Sequence, residues 1–164
     1  ILVLPGQGAA NSCLEKLTSD FPNLKTHIMN KPFLGICLGF QILFDKSYEN
    51  EGVNCFSLID GDVKDFRSTI KKDMKVPHMG WNSLEITKDS KILEGVENNS
   101  WVYFVHSYRA KPDNPDLVVA NADYGIKVPA VVEDKLFFGT QFHPEKSGKV
   151  GSLMIKNFLR VCSK

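Results

Sequence analysis

Two short apolar runs, ILVL (1–4) and FLGIC (33–37), each stop at a glycine-containing turn and are each followed by residues at helical spacing. An apolar run that long without polar alternation suits a strand covered on both faces. A strand–turn–helix unit used twice is the grammar of a parallel sheet with crossover helices. PGQG (5–8) ends the first run, and Ala9, Cys13, Leu14, Leu17 and Phe21 then recur at helical spacing until FPN (21–23) closes the segment. LGFQILFDKS (38–47) reads as the helix after the second run. From about residue 53 shorter strand-like runs take over: VNCFSLI, DVKDFR, WNSLEI, WVYFVHSYR, LVVANA, VPAVVE and KLFFGTQF. Val150, Met154, Phe158 and Val161 close the chain as an amphipathic helix. The expected fold is α/β, an open, mostly parallel sheet with flanking helices and a β-rich middle segment, with residues 1–164 as one domain.

Several function classes drop out on composition. A chain of 164 residues buries ~70% of its unfolded surface, enough for a core without cross-links. Twenty Lys+Arg stand against 19 Asp+Glu, a net charge of +1, which gives no electrostatic case for nucleic acid. No apolar stretch approaches the ~20 residues of a membrane span, and no signal-peptide pattern is present. Cys13, Cys37, Cys55 and Cys162 lack paired or metal-type spacing, so neither a disulfide framework nor a metal site is expected. That usage points to a reducing, cytoplasmic setting.

Gly35-Ile36-Cys37-Leu38-Gly39 is the cysteine form of a nucleophile elbow, a sharp strand-to-helix turn that presents one side chain above the sheet edge. Glycines allow the tight turn and the close backbone beside it. A helix N-terminus just after Cys37 favours a thiolate, and the Leu38 N–H would point where an oxyanion forms. The plainer reading makes Cys37 a small core residue. A nucleophile needs a base, and four histidines are available. His27 falls in a polar loop, while His78 and His106 lie in apolar and aromatic surroundings that suit a structural or interface role. His143, in QFHPEK, ends an apolar strand at a loop. Pro144 biases it towards an extended backbone, where residues two apart share a face, so Glu145 can orient its ring. Cys37, His143 and Glu145 thus have the types and order of a nucleophile, a base and an orienting carboxylate. Pro5-Gly6-Gln7-Gly8 ends the other buried strand. No Lys-Ser/Thr follows it, so it is read as a flexible loop that turns a peptide N–H to the oxyanion rather than as a phosphate loop.

LPGQG, KPFLGICLGFQILF, the stretch from Glu49 to Gly52, VPHMGWN, YFVHSY and GTQFHPEKSGKVG together resemble, in order and over nearly the whole chain, the class I (triad) glutamine amidotransferases. That resemblance implies their flavodoxin-like fold. PHMGWN and YFVHSY narrow it to the branch that serves imidazole glycerol phosphate synthase. It implies Cys37 as nucleophile, His143 as base and acid, and Glu145 as orienter. It also implies an oxyanion hole from Leu38 and the Gly6-Gln7-Gly8 loop, with Gln41 and Glu49 holding the substrate L-glutamine. His78, Met79, Trp81, Asn82, Tyr103, His106, Tyr108 and Lys146 fall where the family faces its synthase partner or frames the glutamine pocket. Glutamine would be hydrolysed to glutamate and ammonia without a cofactor or metal. The ammonia would pass to a (β/α)8-barrel cyclase subunit, a heterodimer partner that makes imidazole glycerol phosphate in histidine biosynthesis.

Three departures stand beside this resemblance. The family's first strand and helix, with a D-Y-G-x-G-N-like segment, is not seen, so either residues precede Ile1 in the whole protein or the domain lacks a strand. Gln7 takes a position usually apolar, and Ala9-Ala10-Asn11 replaces a more usual Ala-Phe. Other readings stay open: a paralogous glutaminase serving another synthase, as in surface-sugar biosynthesis; a cysteine peptidase or γ-glutamyl hydrolase with a similar elbow; and an interaction module with a vestigial site.

Overall fold

The computed structural model describes residues 1–70 and 73–163. The chain opens with β1 (Leu2–Leu4), α1 (Ala10–Asp20), α2 (Leu24–Met29), β2 (Phe33–Ile36) and α3 (Leu38–Gln41). A β-rich stretch follows: β3 (Lys46–Ser47), β4 (Val53–Asn54), β5 (Gly61–Asp65), β6 (His78–Ser83), β7 (Glu85–Ile86), β8 (Trp101–His106) and β9 (Tyr108–Pro112). β10 (Val118–Asp123), β11 (Lys127–Asp134), β12 (Phe137–Thr140) and α4 (Gly148–Cys162) complete it.

The main sheet is open, with strand order β1-β2-β12-β11-β10-β7. β1 runs parallel to β2 and β2 to β12, whereas β12, β11, β10 and β7 are antiparallel neighbours. The parallel part is therefore confined to three strands. Only Lys135 and Leu136 separate β11 from β12, and so short a turn can join only antiparallel strands. β2 lies at the centre of the parallel part and is buried at every position. Its Leu34 and Ile36 pack with Phe104, Phe138, Phe142 and Phe158. Phe33 packs on the opposite side with Phe40, Ile42, Leu43 and Val63. That two-sided burial is what the unbroken apolar run required. The middle segment forms a four-stranded sheet, β4-β3-β5-β9, and a two-stranded ribbon, β6-β8.

Two local expectations change in the folded chain. The helix expected over 38–47 stops after one turn, at Gln41. The carbonyls of Ile42, Leu43 and Phe44 accept from Phe56, Leu58, Ile59 and Ser57, so a loop distant in sequence takes the groups that would have continued the helix. Residues 24–29, read as a polar loop, form α2 and carry His27 exposed to solvent.

Glycines make the elbow possible by letting backbone touch backbone. A Cβ on Gly39 would overlap the Leu4 carbonyl, and one on Gly35 would meet the Gly39 carbonyl and the Phe40 nitrogen. β1, β2 and α3 are locked together there with no room for a methyl group. Gly39→Ala is accordingly expected to cost about 3 kcal/mol or more of stability. Urea unfolding of that variant checks it, and a cooperative transition at the wild-type midpoint would contradict this packing.

Candidate active site

A cavity of about 340 Å³ opens where β1 and β2 end, with Gln7, Gly8, Cys37, Leu38, Gln41 and Glu49 in its wall beside the Val105–Tyr108 segment. Cys37 has φ of +52°, which for a residue with a side chain is strained backbone, held by the flanking packing. Its N–H donates to the Thr140 carbonyl at 2.7 Å, and its carbonyl accepts from Phe40 and Gln41. The thiol lies 3.8 Å from the Val105 carbonyl. Burial pushes the thiol pKa up to about 11, against the smaller opposing influence of the Leu38 N–H. The thiolate expected from the helix N-terminus is therefore not preformed: one helical turn supplies little field, and desolvation exceeds it.

The Gly6–Gly8 loop, expected to form an oxyanion hole, is closed onto Leu38. The Leu38 N–H donates to the Gly6 carbonyl at 3.4 Å, so Gly6 offers an acceptor where the expected oxyanion hole would require a donor. Turning the Gly6–Gln7 peptide would remove that acceptor and aim the Gln7 N–H inward. Gly8, at φ of +100°, supplies the freedom for such a turn.

Gln41 and Glu49 both reach the cavity, with prior engagements. Gln41 Nε2 donates to the Tyr108 carbonyl at 2.9 Å and to Gln141 Oε1 at 3.0 Å. Only its amide oxygen is left for a ligand. Glu49 Oε2 accepts from the Ala10 N–H at 2.7 Å, at the start of α1.

His143 is buried, and its Nδ1 meets Glu145 Oε1 at 2.7 Å. The expected pairing arises in a different way: Pro144–Lys146 form a 3₁₀ turn with Pro144 in its first turn, and that turn folds Glu145 back to the ring. The His143 N–H donates to the Tyr103 carbonyl, and the Ser147 hydroxyl donates to the His143 carbonyl at 2.6 Å. His143 Nε2 is buried with no hydrogen-bond partner among the described residues. Among the described residues Cys37 and His143 are not hydrogen-bonded to each other, and the Glu145 and Lys146 charges act on the Cys37 thiol with opposite sign. Among the described residues no group of three His, Cys, Asp or Glu could hold a metal ion.

Ribbon register sorts the other expected residues. Trp81 pairs with Tyr103 and Met79 with Val105 on the outward side, with Met79 and Trp81 exposed. Lys146 is exposed too. His78 turns inward: it stacks on Phe104 and Tyr124, and its Nδ1 lies 3.0 Å from His106 Nε2. Asn82 is half-buried and bonds His78 Nε2 and the Asp123 carbonyl rather than facing outward. Gln141, which sequence reasoning passed over, is buried against Cys37 and Gln41; only its place two residues before His143 hinted at it.

The family profile described as glutamine amidotransferase class-I matches residues 1–162. The chain is 44% identical over 161 residues to "Imidazole glycerol phosphate synthase subunit HisH" of Methanocaldococcus jannaschii, covering 98% of this chain and 80% of that protein. It is 49% identical over 161 residues to the protein of the same name from Methanothermobacter thermautotrophicus, covering 98% and 78%. Among solved structures, a glutamine amidotransferase superposes with a TM-score of 0.69 at 15% identity, covering 99% of this chain and 78% of the other. A Thermotoga maritima glutamine amidotransferase gives 0.56 at 19% identity, covering 99% and 63%. At those identities the structures speak to the fold.

Two pH dependences follow from this burial. Alkylation of Cys37 by iodoacetamide, followed on its own peptide by mass spectrometry, should rise steadily beyond pH 9 towards a midpoint near 11. A plateau by pH 8 would contradict the buried, protonated thiol. Burial lowers His78 from 6.5 to about 4 and His106 to about 3. Below pH 6.5 the unfolded chain takes up protons that the folded one refuses, so the stability these groups contribute above that pH is lost as pH falls towards 4 and 3. The loss is at most ~1.4 kcal/mol per pH unit for each histidine. Urea unfolding at pH 7 and pH 5 should show it, with a shallower loss in a His78→Gln/His106→Gln double variant.

Proposed function

The chain belongs to the class I glutamine amidotransferases, and from this premise we propose that it is the glutaminase subunit of an imidazole glycerol phosphate synthase. It hydrolyses L-glutamine to L-glutamate and ammonia through Cys37, His143 and Glu145, and it hands the ammonia to a synthase subunit. We further propose that residues 1–164 make up one amidotransferase domain, that the partner is a (β/α)8-barrel cyclase of histidine biosynthesis, and that the pair works in the cytoplasm. No described helix is long and apolar enough to cross a membrane.

The observation that carries the site assignment is the buried His143 ring, held by Glu145 at Nδ1 with Nε2 left unpartnered. Glu145 fixes the tautomer with hydrogen on Nδ1, so Nε2 offers its lone pair as a base. When glutamine enters, Nε2 takes the thiol proton and the Cys37 sulfur attacks the side-chain amide carbon. The oxygen of the tetrahedral intermediate needs the Leu38 N–H, which the Gly6 carbonyl must first give up, and the Gln7 N–H can supply a second donor. Nε2–H then protonates the departing nitrogen, the C–N bond breaks, and ammonia leaves behind a thioester. Water adds to the thioester with its proton going to Nε2, and the thiol departs with that proton as glutamate forms. The free Gln41 amide oxygen and the Glu49 carboxylate suit the substrate's ammonium group. Met79 and Trp81 are exposed, Trp81 with its ring against Tyr103, and together with the exposed Lys146 they suit the partner face.

A protonated thiol and an occupied oxyanion donor make the isolated subunit slow. One oxyanion donor is worth ~3 kcal/mol, on the order of 100-fold in rate. Glutamate release should therefore rise by about that factor when the cyclase subunit from the same genome and its nucleotide substrate are added. Cys37→Ala should abolish release, while His143→Asn should lower it by about 1000-fold and Glu145→Gln by about 100-fold. Full activity in Cys37→Ala would sink the assignment of the nucleophile. Activity with no response to the cyclase would point to a different synthase.

A further inference from the structure

We propose that Gln141 is a positioning residue of this site: its side chain fixes the Gln41 amide and presents an N–H to the Cys37 sulfur, in an order set by the Tyr108 carbonyl. The proposal deepens the glutaminase reading and rests on it.

Gln141 follows the last residue of β12, and its backbone N–H is tied to the Ala130 carbonyl at 2.9 Å. Its side chain is 0% exposed. A buried amide must find partners for both ends, since an unpaired polar group there is costly. Both ends of Gln141 meet the site: Oε1 takes Gln41 Nε2–H at 3.0 Å, and Nε2 lies 3.8 Å from Cys37 Sγ.

Which end faces which partner follows from one group that cannot change its role. The Tyr108 carbonyl can only accept. It accepts from Gln41 Nε2 at 2.9 Å and from His106 Nδ1 at 2.7 Å. Gln41 must therefore turn its nitrogen to Tyr108, and its second N–H demands an acceptor at Gln141. Gln141 then has its oxygen towards Gln41 and its nitrogen towards the sulfur. On the other side of Tyr108, hydrogen on His106 Nδ1 leaves Nε2 to accept from His78 Nδ1–H, and His78 Nε2 accepts from Asn82 Nδ2. Every polarity in the chain from Asn82 to Cys37 is thus assigned by a single backbone oxygen, without any charged member.

Two consequences reach the reaction. Gln41 is held with its oxygen towards the ligand, which selects for a donor there. The sulfur has a side-chain N–H beside it, which favours thiolate over thiol. Among the described residues the Gln41 side chain makes no hydrogen bond to the Cys37 thiol, so any effect of that side chain on the thiol must pass through Gln141.

The test uses the full chain and iodoacetamide at pH 8, with Cys37 alkylation read by mass spectrometry, together with glutamine KM in the complex with the cyclase subunit. Gln141→Met, close in shape but without donor or acceptor, should lower the alkylation rate about threefold, equivalent to about half a pKa unit, and raise KM about fivefold. Gln141→Glu, which places a carboxylate at the sulfur, should lower alkylation about tenfold. Gln41→Met should lower it about twofold from a distance. A folded Gln141→Met variant with alkylation and KM at wild-type values would overturn the proposal. Should that variant not fold, undiminished alkylation in Gln141→Glu and Gln41→Met overturns it equally. Alkylation needs no glutamine, so a wild-type chain that releases no glutamate with the cyclase defeats the glutaminase reading separately.

Discussion

The contact between the Gly39 backbone and the Leu4 carbonyl, with Gly35 packed under the same turn, is the constraint on which the rest of this molecule depends. It brings the ends of two parallel strands within a backbone's width of each other. The strained residue between the glycines then has one place to go, above the sheet edge. Because β1 ends in the Gly6–Gly8 loop at that same place, the Cys37 turn and the Gly6–Gln7 peptide become neighbours through packing alone. Strain at Cys37, costing ~1–3 kcal/mol, is tolerable because the central strand beneath it is buried on both faces and cannot relax.

Burial then decides the chemistry. The desolvation that pushes the Cys37 thiol up also pushes the imidazoles of His78 and His106 down, so each of these groups is neutral at pH 7. Neutral buried groups can be ordered by hydrogen-bond direction alone, and the Tyr108 carbonyl does that ordering. A site built this way holds Cys37 as a thiol rather than a reactive thiolate. On the proposed mechanism, reactivity arrives with the substrate and with movement of the Gly6–Gly8 loop.

What the residues disclosed in advance was local chemistry, and what they concealed was long-range. The elbow at Cys37 and the His143–Glu145 pair were legible because each is encoded within five residues. Most of the strand list of the middle segment was legible from alternation, although VNCFSLI is strand only at Val53–Asn54, WNSLEI is split between β6 and β7, and Ser107 divides WVYFVHSYR into β8 and β9. The helix after Cys37 was read too long because its termination lies in residues 56–59, which no local pattern announces. His78 and Asn82 were placed at the partner face or glutamine pocket by the resemblance, because the register that turns them inward is set by β8. Gln141 was missed for the same reason: its partners lie 100 and 104 positions away.

In the proposed mechanism the contact between Leu38 and Gly6 acts as a gate, and its geometry suits that work. The Leu38 N–H reaches the Gly6 carbonyl at 3.4 Å, towards the weak end of hydrogen-bond lengths. A bond of that kind contributes about 1 kcal/mol or less, whereas an oxyanion placed on the same donor gains ~3 kcal/mol. The closed loop is thus stable enough to occupy the donor at rest and weak enough to yield to charge that develops only in the transition state. Glu49 holds the far end of the same segment through the Ala10 N–H, so a ligand ammonium drawn to that carboxylate would loosen the loop where it enters α1. A stronger resting bond would bury the catalytic gain, and a missing one would leave glutamine hydrolysed with no partner to take the ammonia.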